Sequence, residues 1–101
     1  MPDSYIYGTA TAKPKQTVGT TRQTLLGSGS DVSAKEVWIT ADDGNSGKIY
    51  LGDVTVTNTG GGNVFTKLQA GGGVVMQVGN TNELYAVGTA SGQVYYVGVM
   101  A

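Results

Sequence analysis

With no His and no Cys in this chain, the carboxylates are the first candidates for acid–base chemistry. The seven are Asp3, Asp31, Glu36, Asp42, Asp43, Asp53 and Glu83, and most fall in loop-like stretches or at strand ends. Glycoside hydrolysis needs two carboxyl groups facing each other in a cleft. A 101-residue β domain with Gly-rich loops leaves little room for one. Two of the usual nucleophile and base types are missing outright. Asp42, Asp43, Asn45 and Asp53 raise a calcium question, but their spacing does not follow the EF-hand loop and its bidentate Glu is absent. An ordinary turn is the expectation there. Gly60-Gly61-Gly62 and Gly71-Gly72-Gly73 open no helix and lack the Gly-Lys-Ser/Thr ending of a phosphate loop. The residues therefore point to no enzyme, no metal and no cofactor.

Position and contact are what remain for these residues to provide. The chain is long enough to bury one core without staples, and its lack of Cys excludes disulfides and the thiolate ligands of zinc. Net charge is −1 and 13% of residues are charged. Such a chain has no field to gather nucleic acid or an anionic membrane. No apolar run approaches the roughly 20 residues that span a bilayer. The N-terminus lacks the basic-then-apolar pattern of a secretory signal, so synthesis in the cytosol is expected. Soluble domains usually carry about 25% charged residues. With half that amount, and with Tyr and Val on both strand faces, the chain is either a small β protein whose surface is Thr, Ser, Asn and Gln or, the favoured reading, a subunit of an assembly.

Residues 1–15 are set apart in composition. Tyr5-Ile6-Tyr7 is a short β-prone patch, and Lys13-Pro14-Lys15 keeps the chain extended, because Pro14 lacks a donor and restricts Lys13. An N-terminal arm with a sticky aromatic end is expected, its Tyr5, Ile6, Tyr7, Lys13 and Lys15 touching a partner. Residues 16–101 would form the domain. Gln16–Leu26, rich in Thr, suits an edge or surface strand. Lys35–Ala41 alternates, with Val37, Ile39 and Ala41 on one face and Trp38 and Thr40 on the other. Trp38, the single Trp, is expected to be a core or interface anchor. Asp42–Gly47 is a turn by composition. Further strands are expected at Lys48–Asp53, Val64–Gln69 and Val74–Val78, with Val54–Thr57 continuing one strand or starting another.

The last stretch organises the rest. Leu84–Val87 and Val94–Met100 are joined by a connector of small residues, which predicts a closing hairpin. Val94, Tyr96, Gly98 and Met100 point one way, and Tyr95, Val97 and Val99 the other. Both faces are apolar, so this strand is central or is covered by another subunit. No segment sustains a 3.6-residue apolar period. The fold class is all-β: an antiparallel β-sandwich or small jelly-roll-like barrel of seven to eight strands, without a substantial helix.

From about Val18 onward the order of motifs resembles a family of short virion proteins of tailed phages. The Thr-rich first strand is followed by Val37-Trp38-Ile39-Thr40-Ala41. Then come Gly47-Lys48-Ile49-Tyr50-Leu51-Gly52, a Leu68/Gly71 stretch, and Leu84-Tyr85-Ala86-Val87-Gly88 leading to Gly92-Gln93. The phrases G-x-I-Y-x-G and L-Y-A-x-x-x-x-x-G-Q recur in that family at similar spacing. The resemblance spans about four fifths of the chain and leaves out the arm. It implies a capsid decoration (cement) protein, found in the virion, with the major capsid protein or other virion proteins as partners. It also implies a homo-oligomer, a trimer being favoured because decoration sites often lie at capsid three-fold positions. A tail, fibre or head–tail accessory and a self-contained binding domain are the alternatives; in the accessory, Asp42–Gly47 and Asn58–Asn63 would carry the contacts.

Overall fold

The computed structural model describes residues 10–27, 31–58 and 63–101. These form two antiparallel sheets built from nine short strands: β1 (Ala10–Ala12), β2 (Gln16–Val18), β3 (Gln23–Thr24), β4 (Glu36–Ala41), β5 (Ile49–Gly52), β6 (Thr66–Leu68), β7 (Gly73–Met76), β8 (Tyr85–Gly88) and β9 (Gln93–Met100). The helical content among the described residues is one 3₁₀ turn, Thr81–Glu83. Its cap, Asn80, accepts a hydrogen bond from the Asn82 N–H.

One sheet runs in the order β1–β9–β4–β7, with β2 pairing the other half of the same β9 edge. The second runs β3–β8–β5–β6. β9 is central, one of the two placements expected for it, and pairs with β4 from Glu36↔Met100 to Ala41↔Tyr95. On its other side it holds β1 and β2. Ala10–Ala12, expected within the arm, thus lies along the sheet as an exposed outer strand.

The alternating residues of β4 and β9 supply half of the core: Val37, Ile39 and Ala41 with Tyr95, Val97 and Val99. The facing sheet supplies Ile49, Leu51, Leu68 and Ala86. Val18, Leu25, Leu26 and Leu84 complete the cluster, and Val74 and Met76 pack against it from β7. Each fully buried aliphatic side chain contributes about 1.5–3 kcal/mol of transfer free energy. Apolar burial between the two sheets is therefore a main source of the sandwich's stability. Residues 54–57, expected as strand, form a turn after Asp53 in which Val56 is buried and Val54 exposed.

The expected closing hairpin does not form. β8 pairs with β3 and β5, whereas β9 pairs with β1, β2 and β4, so the Thr89–Gly92 connector crosses from one sheet to the other. The reason lies in which side chains must meet. Ala86 of β8 and Val97 of β9 belong to one buried cluster, and an arch lets each strand present its inner face to the other layer. A flat hairpin would put both on the same layer.

Candidate functional site: the outer face of the β9 sheet

The residues of β9 and β4 that point away from the core create the most distinctive surface. The register aligns Ala12, Gly98, Trp38 and Val75 in one row across four strands. Tyr96, Thr40 and Gly73 form the next row. Glu36 and Met100 stand opposite each other at one end. Val75 is 56% exposed and Tyr96 43%, both high for large apolar side chains. The row that crosses the sheet is apolar from edge to edge.

Trp38 sits in this row, half-buried, and is not part of the core. Its indole ring lies over Gly98, where an added Cβ would come 2.7 Å from Trp38 Cε3. The glycine is what lets the ring lie flat on the sheet. The indole Nε1–H donates to Glu36 Oε1 at 2.9 Å. The core half of the expectation for Trp38 is therefore corrected: Val37 and Ile39 took the inner face of β4, and strict alternation sends Trp38 outward.

At the other end of the face, Tyr96 OH donates to Asp42 Oδ1 at 2.8 Å, and Gly44 N–H donates to Asp42 Oδ2 at 2.9 Å. These two bonds, the Tyr96 bond first, hold the Asp42 carboxyl below the usual carboxylate range, with the Lys15 charge helping. The same bond raises the Tyr96 phenol. Asp42 is thus the anchor of a turn and of one aromatic ring. Among the described residues no group of three or more Asp, Glu, His or Cys side chains gathers to hold a metal ion.

The turn is fastened to β9 by two amides. Asn45 Nδ2 donates to Val94 C=O at 2.9 Å, and Val94 N–H donates to Asn45 Oδ1 at 2.8 Å. Gln93, buried to 1% exposure, accepts from Gly47 N–H at 2.7 Å and donates to Ser91 C=O at 2.9 Å and to Ser46 Oγ at 3.2 Å. A side chain at Gly47 would press on Thr89 Oγ1, and one at Gly52 on the Asn63 C=O, each at 2.5 Å. The two glycines of G-x-I-Y-x-G are thus places where the ends of β5 are approached too closely for a Cβ.

The site residues expected from sequence separate as follows. Trp38 lies on the outer face, and Lys15 acts on Asp42 at its Tyr96 end. Lys13 is elsewhere: its N–H donates to Val97 C=O, and it lines a hollow with Pro14, Leu26 and Asp31. Tyr5, Ile6 and Tyr7 lie outside the described residues, as does Gly60-Gly61-Gly62. Tyr96 and Val75 were not singled out from sequence, although alternation had already placed Tyr96 on one face with Met100. A second, more polar hollow surrounds Tyr50, between Asn45–Lys48 and Gln69. No family model, curated protein or solved structure matches the chain. What the fold and the site define is an all-β sandwich with one apolar outer face.

Proposed function

We propose that this chain is a structural protein of a tailed-phage virion, a capsid decoration (cement) protein. It binds the assembled head as a homo-oligomer, a trimer by preference, and stabilises it by bridging capsomers of the major capsid protein. The observation that carries the reading is the outer face: the apolar Ala12–Gly98–Trp38–Val75 row crosses the sheet, with Tyr96 exposed beside it. Interfaces place aromatic anchors at their centre and keep charge to the rim, which is how Trp38 and Glu36 stand here. The motif resemblance supplies the virion context. Burial of surface is the whole mechanism, so no cofactor enters it.

The test is co-sedimentation of the purified protein with empty heads of the phage that encodes it. Saturable binding to heads, and none to isolated tails, is expected. Binding to tails alone would replace this reading with the second one, a tail, fibre or head–tail accessory. The hollow at Tyr50 favours that second reading, because a single aromatic ring ringed by Asn45, Ser46 and Gln69 suits an uncharged sugar. Its own check is titration of the Tyr50 signals with simple glycans.

A further inference from the structure

Among the described residues the two sheets expose four edges, and three of them carry the devices that keep strands from pairing with other chains. β1 and β2 are joined by Lys13-Pro14-Lys15, β6 has Lys67 at its centre, and β3 is two residues long and preceded by Arg22. Short length, Lys and Pro are the usual protections of an edge. β7 has none of them. Among the described residues it pairs with β4 on one side only, and no charged residue occurs between Lys67 and Glu83 in the sequence. Val75, at its middle, is 56% exposed. A bare, uncharged edge with an exposed Val is a template for an added strand.

The chain itself offers the strand. Nine residues precede Ala10, among them Tyr5-Ile6-Tyr7. Ala10 already pairs with Met100, the last residue of β9. The segment cannot serve its own β7. β1 and β7 stand three strand spacings apart, about 14 Å, whereas Tyr7 is three residues from Ala10, about 10 Å of fully extended chain. Even Tyr5 would reach the edge with nothing left to run along it.

We propose that the free edge of β7 receives the Tyr5-Ile6-Tyr7 segment of a second copy of this chain as an added strand. The added strand extends the Ala12–Gly98–Trp38–Val75 row by one more apolar residue beside Val75. Donor and acceptor are different surfaces, so the contact is head-to-tail, and head-to-tail contacts close into rings when the rotation allows. The inference concerns copies of this chain and stands whether or not the assembly binds heads.

The experiment measures solution mass by sedimentation equilibrium, with hydrogen exchange at the outward-facing amides of β7 and its end, Val75 and Gln77, since Val74 and Met76 face β4. Four proteins are compared: the full chain, Val75→Lys, Val75→Thr, and the full-length double variant Tyr5→Ser/Tyr7→Ser, each checked for fold by far-UV circular dichroism. The full chain and Val75→Thr are expected to be oligomers with protected β7 amides. Val75→Lys and the Tyr double variant are expected to be folded monomers with β7 amides at least tenfold less protected. An oligomer that survives loss of Tyr5 and Tyr7 but falls apart with Val75→Lys would mean β7 pairs with β7, and overturns the proposal. So would a full chain that is monomeric throughout the micromolar range, or an oligomer whose β7 amides exchange freely. Protection of β7 that appears only on heads would assign the edge to the capsid protein and overturn it as well.

Discussion

Trp38 and Gly98 show how a single pair of residues defines this surface. The ring is half-buried and held by Glu36, so Trp38→Ala should cost about 1–2 kcal/mol, less than the roughly 3–5 kcal/mol of a core aromatic. Gly98→Ala should cost about 1–3 kcal/mol, because its methyl would displace the ring. In the Trp38→Ala background that cost should largely vanish, a coupling that a thermal or urea double-mutant cycle reads directly. Tyr95 is the inward counterpart. Its hydroxyl donates to Leu25 C=O at 2.6 Å and accepts from Gln23 Nε2 at 3.2 Å. Burial pushes its phenol up to about 12, against the lowering effect of Gln23. The folded state therefore holds this proton more tightly than the unfolded chain does. Its contribution is complete below the ordinary value of 10 and is lost as pH rises from there through about 12. Tyr95→Phe should cost about 1–2 kcal/mol at neutral pH, by orphaning Leu25 C=O, and should flatten the alkaline part of the stability profile. Urea midpoints at pH 8 and pH 11 check both halves.

At the scale of elements, the sequence carried the period but not the pairing. Alternation in Lys35–Ala41 and Val94–Met100 gave β4 and β9 with their faces correctly split, because side-chain direction is a local property of a strand. Nothing local says which face meets the core. Trp38 was therefore open to a core assignment until Val37 and Ile39 were seen to fill it. The same limit explains the missed arch: a connector of small residues serves a hairpin or a crossing between layers equally well. Val54–Thr57 looked like strand because Val and Thr favour strands, yet the Asp53 side chain accepts the Thr55 N–H at 2.8 Å and turns the chain there. The clamp made by Gln93 was also illegible, since two of its three partners, Ser46 and Gly47, lie far away in the sequence. Gln93→Leu should cost about 1–3 kcal/mol, mainly by leaving the Gly47 N–H without an acceptor. Chemical-denaturation midpoints would show it, and an unchanged midpoint would mean that water replaces the amide. The outer face was only half legible, through Trp38; Val75 emerged because the register places it beside that ring.

For the whole molecule, the proposed role is that of a subunit that works by covering surface. The core closes one face of each sheet, and the other face of the β9 sheet stays apolar and weakly charged. The β7 edge stays unprotected while the others are guarded. Under the proposed function, a subunit of an assembly would use both features. Cementing would appear as added stability of the particle, beyond simple adherence to it. The most direct measurement is the temperature at which filled heads lacking this protein release their DNA, followed by a nucleic-acid dye as the protein is added back. The account predicts a rise in release temperature that saturates with bound protein and is weakened by Trp38→Ala. An unchanged release temperature at saturating concentrations of folded protein would contradict it.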